Sequence, residues 1–300
     1  MTATVEVTEI KGLTGPSPAK VMLRRGLGHR GLVIGGVVLM AVVFAAVFAP
    51  WIVPHDPFDQ DLLNRIVPPV WYDGGSWEHV LGTDHLGRDY LSRLIYGARI
   101  SLIIGFATAL ISGIIGTVLG VTAGYFGGRV DMVITFVITT RLAVPVILVA
   151  LAVVALIGSS LKTVILVLGF LLWDRYALVM RASTMQARSM DYVVAAQALG
   201  CSTVRILLTE IMPNLLNNLI VVATLEIAHA VILEAALSFL GLGVQPPLPS
   251  WGLMVAEGRE YLLFDTWLIT IPGLMLFLLV LSVNLLGDGI RDVTAPEGRN

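Results

Sequence analysis

The sequence predicts an all-α, polytopic membrane protein with six transmembrane helices and both termini in the cytoplasm. Hydrophobic residues fill 56% of the 300 positions and charged residues only 13%, about half the charged share usual in soluble domains. The apolar residues form long runs, and a helix needs roughly 20 of them to cross a hydrocarbon core of about 30 Å. Lys and Arg also favour the segments that this topology places inside.

Six apolar runs provide the spans, since each backbone polar group in lipid must be paired within its own segment. The fourth run is short and holds Asp174 and Arg175 near its end, but both charges can reach the interface or a partner helix. The predicted spans are residues 31–53, 100–126, 132–157, 161–180, 215–240 and 264–286.

The spans divide the chain into five parts. The tail before the first span carries Lys11, Lys20, Arg24, Arg25 and Arg30, which favours a cytoplasmic start. The parts are a cytoplasmic tail at 1–30, the first transmembrane helix at 31–53, an external loop and interfacial segment at 54–98, a five-helix core at 99–290 and a cytoplasmic tail at 291–300.

One polar segment inside the core, residues 181–212, is predicted to be cytoplasmic. Tyr192, Ala195, Ala196 and Leu199 share one helical face, which ends at Gly200, where a turn costs little. A second amphipathic stretch follows to residue 211, with either Ser202 or Thr203 as its N-cap. Pro213 then starts a helix that enters the membrane. The physics alone allows two roles, docking onto another protein or lying flat on lipid.

This segment resembles the cytoplasmic signature of ABC-importer permeases, which is Glu-Ala-Ala, three residues, Gly, nine residues and Ile-x-Leu-Pro. The chain keeps four signature residues at that spacing, Ala195, Ala196, Gly200 and Pro213. It departs from the signature at three positions, Val194, Glu210 and Met212.

Longer motifs narrow the resemblance to the dipeptide, oligopeptide and nickel permeases, and within them to the second of the two membrane subunits. They are LGTDHLGRDYLSRLIYGARISL at 81–102, EAALSFLGLGVQPPLPSWGLM at 234–254 and NLLGDGIRD at 284–292. The resemblance implies a type I ABC-importer transmembrane domain in the bacterial inner membrane. It also implies a homologous second permease, two ATP-binding subunits and an external solute-binding protein.

The chain has no phosphate-binding G-x-x-x-x-G-K-[ST] loop, so ATP and Mg²⁺ are expected on partner subunits. No metal-ligand or catalytic motif is evident, and we expect a non-catalytic subunit without a cofactor of its own. A net charge of −2 with scattered Lys and Arg argues against nucleic acid as a partner.

Two sets of site residues follow. The resemblance implies that the cytoplasmic segment docks on an ATPase subunit through Asp191, Tyr192, Ala195, Ala196, Leu199, Gly200, Arg205 and Pro213. Ionisable groups at membrane depth are functional candidates, and those for the solute path are Arg141, Glu226, His229 and Glu234.

The candidate path residues also have structural readings. Glu226 and His229 either line the pore or bond neighbouring helices, whereas the family match favours a structural Glu234. Arg141 either faces a cavity or pairs with an acidic neighbour such as Glu226. Di- or oligopeptides are the expected solute. The rival functions are a secondary transporter, with a proton relay through these residues, and a structural subunit of a membrane enzyme complex.

Overall fold

The computed structural model describes residues 24–294. The predicted tails at 1–30 and 291–300 therefore lie largely outside the described residues. Within the described range the chain is helical, and its only β-structure is an isolated bridge between Thr83 and Asp89.

Ten helices of eight or more residues organise the described part of the chain. Shorter helical turns are Ala49–Ile52, Leu62–Asn64, Thr203–Arg205, a π-helical turn at Ile206–Ile211, and Arg259–Tyr261. The ten are α1 Arg30–Val47, α2 Tyr90–Phe126, α3 Gly128–Leu142, α4 Val146–Ile157, α5 Leu161–Leu171, α6 Asp174–Arg188, α7 Asp191–Ala198, α8 Met212–Phe239, α9 Trp251–Gly258 and α10 Trp267–Thr294.

Five helical segments of the described chain are long and apolar enough to cross a membrane, and a bent pair brings the total to six. The five are Arg30–Val47, Tyr90–Phe126, Leu161–Arg188, Thr203–Phe239 and Trp267–Thr294. The sixth corresponds to the predicted span at 132–157, where α3 and α4 meet at 82°. Pro145 lies at this break as the N-cap residue of α4, and proline disfavours helical geometry in the residue before it.

Helices α2 and α6 pack closely because α2 presents a row of glycines. A Cβ added at Gly116, Gly120 or Gly124 would come within 2.3–2.6 Å of a backbone carbonyl oxygen in or just before α6. No side chain fits in that space, so the backbones themselves are in contact. The four-residue spacing of these glycines places them on one face of α2, the face that meets α6.

The buried core is divided along the bundle. One apolar cluster joins α1, α2, α8, α9 and α10, and a second joins α4, α5 and α8. A third cluster joins one end of α2 and α6 to α7, the π-helical turn and the start of α8. This third cluster holds the segment predicted to be cytoplasmic against the membrane helices.

Candidate functional site

Three fully buried side chains anchor the predicted cytoplasmic segment at residues 181–212, which we call the coupling segment after the ATPase docking that the resemblance implies for it. Val193 of α7 and Ile206 and Ile211 of the π-helical turn are at most 1% exposed. They pack against Met180 of α6 and Leu215 of α8. The segment is thus attached by buried contacts to the spans on both sides of it.

The turn after α7 needs glycine for its backbone conformation. Gly200 has φ of +77°, in the left-handed region, and an added Cβ there would meet nothing within 4 Å. The Cys201 N–H donates to the Ala196 carbonyl at 3.1 Å and the Gly200 N–H to the Gln197 carbonyl at 3.0 Å, which satisfies carbonyls at the helix end. Ser202, one of the two predicted N-caps, accepts from the Arg205 N–H at 3.4 Å.

Pro213 lies in the first turn of α8, as the sequence predicted, but helical structure already begins at Thr203 and runs into α8 without a break. The preceding turn, Ile206–Ile211, is π-helical. A wider turn of this kind accommodates proline, which cannot donate a backbone hydrogen bond to the preceding turn. The Asn214 side-chain amide donates to the Glu210 carbonyl at 2.7 Å.

An apolar surface remains exposed on the segment. Leu199 is 83% exposed and Val204 and Leu208 are about two-thirds exposed. Among the other predicted docking residues, Asp191, Tyr192, Ala195, Arg205 and Pro213 are exposed, and Ala196 is partly buried. Helical periodicity placed Ala196 on the docking face and did not reveal Val193, whose burial directs that side of α7 inward. We call the exposed surface of Tyr192, Leu199, Val204 and Leu208 the coupling surface.

Glu226 and His229 of α8 lie together, and Arg175 of α6 joins them. The Glu226 side chain is fully buried, with Oε1 at 3.3 Å from Arg175 Nη1 and Oε2 at 3.4 Å from His229 Nδ1. The Arg175 side chain is 55% exposed. A buried carboxylate is therefore joined to a cation at an open surface, an arrangement that can hold a charged or polar solute.

Arg141 does not reach Glu226, which corrects one option from the sequence. It lies 3.6 Å from Asp174 of α6 and donates to the Leu171 carbonyl. This contact joins the end of α3 to the junction of α5 and α6. Arg141 and Glu226 are thus paired to neighbouring residues, Asp174 and Arg175, instead of to each other.

Glu234 belongs to a separate, wholly buried site. Its Oε1 accepts from the hydroxyls of Ser238 at 2.7 Å and Ser250 at 2.8 Å. Ser250 is also the N-cap of α9. The carboxylate therefore ties α8 to α9, which is the structural role that the family match favoured.

A network of buried charges, absent from the predicted site residues, orders the LGTDHLGRD motif. Asp84 accepts from Arg88 Nε at 2.7 Å and from Arg93, and Glu257 of α9 accepts from Arg93 at 2.9 Å. Burial opposes ionisation of Asp84, but Arg93, Arg88 and two backbone N–H groups outweigh it and lower its pKa. We call Asp84, Arg88, Arg93 and Glu257 the external charge cluster, because its motif lies in the segment that the sequence predicts to be external. Only the motif indicates it in the sequence, since Glu257 is 164 residues from Arg93.

Comparison with known families finds two matches. Residues 116–298 match the family described as binding-protein-dependent transport system inner membrane component. Residues 17–69 match the N-terminal transmembrane domain of oligopeptide transport permease C.

Curated relatives align along nearly the whole chain. A di/tripeptide transport system permease protein of Pseudomonas aeruginosa is 41% identical over 96% of this chain and 95% of its own. Dipeptide transport system permease proteins of Haemophilus influenzae and Escherichia coli are 40% and 41% identical, over 90% and 97% of this chain and 91% and 98% of their own.

Solved structures also share the fold. A chain of the MetNI methionine ABC transporter in an inward-facing conformation aligns with a TM-score of 0.56 at 17% identity. The alignment covers 68% of this chain and 97% of that one. At this identity the likeness concerns the fold alone, and it supports the predicted type I transmembrane domain.

Proposed function

Because this chain belongs to the binding-protein-dependent inner-membrane transport components, the permeases of bacterial ABC importers, we propose that it carries di- or oligopeptides. It is an inner-membrane permease subunit, and the relatives that it matches at about 40% identity are named as dipeptide or di/tripeptide permeases. In this proposal it forms half of the translocation pathway beside a homologous second permease. Two ATP-binding subunits hold ATP and Mg²⁺, and an external binding protein delivers the solute.

The coupling surface carries the proposal. Large apolar side chains that stay exposed on a well-anchored element mark a site for another protein, and here they stand on Val193, Ile206 and Ile211, all buried. A lipid-lying helix would not need such a turn, in which Leu199 precedes a left-handed Gly200 and is 83% exposed. Docking in a cleft of an ATPase subunit fits this shape better.

The mechanism follows from the anchors. Closure of the two ATPase subunits would displace the coupling surface, and the buried contacts to Met180 of α6 and Leu215 of α8 would pass the displacement to two spans together. This chain needs no reactive group for that step. It contributes stiffness between the docking site and the pathway.

The solute path is proposed to pass the Arg175, Glu226 and His229 group. Its contacts join α6 to α8, the two helices that the coupling segment connects. A motion transmitted by that segment would therefore change the group's geometry. Glu234 and Arg141 are not assigned to the path, because their observed partners are structural.

Substitution of Gly200 tests the coupling role. In the reconstituted importer, Gly200→Val should abolish peptide-stimulated ATPase activity and transport while membrane insertion stays normal. The reason is that a β-branched residue resists positive φ, at a cost of roughly 1–2 kcal/mol or more. Gly200→Asn should retain most of the activity, since asparagine tolerates this conformation.

A matched control separates position from strain. Gly158, between α4 and α5, has φ of +102° and also has open space where a Cβ would lie. Gly158→Val imposes at least as much strain, since φ of +102° and ψ of +148° lie close to a region that essentially only glycine adopts. The strain lies away from the coupling surface and should leave coupling intact. Unaltered transport in Gly200→Val, or an equal loss in Gly158→Val, would count against the assignment.

A further inference from the structure

Two histidines and an aspartate that are distant in the sequence meet beside the start of α2. One side-chain ligand atom from each of His55, His79 and Asp89 lies within 4.8 Å of the others. His79 Nδ1 is 3.0 Å and His55 Nδ1 is 3.7 Å from the same Asp89 oxygen, Oδ1. The separation of the three residues along the chain explains why no metal motif was visible in the sequence.

The protein itself leaves one of these atoms unsatisfied. His79 is close enough to hydrogen-bond to Asp89, but His55 Nδ1 is too far, is shielded from solvent and has no hydrogen-bond partner. A buried polar atom without a partner is costly. A cation between the three atoms would satisfy it, since zinc bonds of about 2.0–2.2 Å place ligand atoms at separations similar to these.

The surrounding contacts hold the ligands in place. Asp89 Oδ2 accepts from the Ser92 backbone N–H at 2.8 Å and from its hydroxyl at 2.6 Å, which leaves Oδ1 for the two imidazoles. The His55 backbone N–H donates to the same Ser92 hydroxyl at 3.2 Å. Ser92 therefore orients two of the three ligands, as supporting residues do in metal sites.

A second group nearby has the composition of a metal site but not its chemistry. Asp84, His85 and Glu257 also bring one ligand atom each within 4.8 Å of the others. Their carboxylates already accept from Arg88 and Arg93. Two guanidinium charges occupy the place of a cation, so this group serves as a natural negative control.

We propose that His55, His79 and Asp89 form a binding site for a first-row divalent transition metal, with zinc as the best fit to two imidazoles and one carboxylate. The fourth position is open to water. The bound metal ties the segment after the first span to the N-terminus of α2. The site is independent of the peptide path and of the coupling surface.

Zinc binding to the full-length importer complex tests the proposal. The complex, purified without a histidine tag and stripped with chelator, is dialysed against zinc chloride, and bound zinc is measured by elemental analysis. The wild type should bind one zinc per copy of this chain at the site. His55→Gln should weaken the affinity at least about tenfold, whereas His85→Gln in the control group should leave it unchanged.

A second measurement on the wild type does not depend on the variants folding. Cobalt chloride in place of zinc should give the visible absorption of a four-coordinate ion. The proposal is overturned if the wild type binds no zinc, if the cobalt spectrum is that of a six-coordinate ion, if His55→Gln binds zinc as tightly as wild type, or if His85→Gln loses as much affinity.

Discussion

The external charge cluster and the coupling surface use opposite rules. In the external cluster Arg88, Arg93 and Asp84 are charged and at most 3% exposed, and their partners lie in the same chain. On the coupling surface Leu199 and Leu208 are apolar and largely exposed, with no apolar cover from this chain. The charges of the first region are paired within the subunit, although Arg93 Nε and Nη2 have no hydrogen-bond partner. The second region is left open to the partner that we propose for it.

Mutations in the two regions should therefore change different properties of the protein. A change in the external cluster should reduce the amount of folded protein, because a buried charge that loses its partner is strongly destabilising. A change on the coupling surface should leave the protein folded but should lower its transport activity. Amount and activity per molecule therefore have to be measured separately.

The largest expected effect is on folding. Arg93→Ala removes one of the two guanidinium groups that join Asp84 to Glu257 and leaves Arg88 alone to pair with both carboxylates. It should destabilise the subunit by about 3–5 kcal/mol. The variant should reach the membrane at a small fraction of wild-type abundance, measured by fluorescence-detected size exclusion. Arg259→Ala is the control, since this exposed side chain donates to the Phe239 carbonyl and lies over the Phe239 ring; its loss should cost about 1 kcal/mol or less. Normal abundance of Arg93→Ala would show that the charge pairs of the external cluster do not stabilise the fold.

The next effect is on activity alone. Leu199→Asn should lower peptide transport per assembled complex by about tenfold, because an interface anchor is typically worth more than 1 kcal/mol. Its free energy of unfolding should stay within about 0.5 kcal/mol of the wild-type value, as for other exposed positions.

A control for Leu199 exists outside the coupling surface. Leu263 is 87% exposed in the loop before α10. Leu263→Asn changes a similarly exposed leucine and should leave transport unchanged. If Leu199→Asn transports like wild type, the coupling surface is not where the partner binds.

The two regions also differ in how far the sequence predicted them. The spans were predictable because hydropathy and helix length are local properties, and Gly200 was predictable because its need for positive φ belongs to the residue itself. The partners of the charges were not, since Arg93 meets Glu257 only through the packing of α2 on α9. For the same reason the sequence suggested Glu226 as a partner for Arg141, which instead pairs with Asp174.

Burial in the coupling segment was only partly predictable. Periodicity grouped Tyr192, Ala195 and Leu199, which are exposed, with Ala196, which is partly buried against the third cluster. It could not show that Val193 faces α6, because a short helix with apolar residues on several sides can pack in more than one way. Similarly, residues 132–157 were predicted as one span, and their 82° bend beside Pro145 depends on the packing of α4 against α5 and α8.

Glu226 and Glu234 show the same contrast within one helix, because both are fully buried carboxylates of α8 with different partners. Glu234 meets two serine hydroxyls in a closed site, like the self-contained external cluster. Glu226 meets a half-exposed Arg175, like a surface that awaits another molecule. We therefore expect Glu226, and not Glu234, to act on the solute.

The smallest expected effect follows from this difference. Glu226→Gln keeps the shape of the side chain and removes its charge, and it should lower transport of a dipeptide by about fivefold, the equivalent of an ion pair worth about 1 kcal/mol. Basal ATPase activity and assembly should stay normal, since water can solvate Arg175. Glu234→Gln is the matched variant and should leave transport per assembled complex unchanged, whatever it does to abundance. Equal transport in Glu226→Gln and wild type would make the carboxylate a packing group, and the path would then have to lie elsewhere in the bundle.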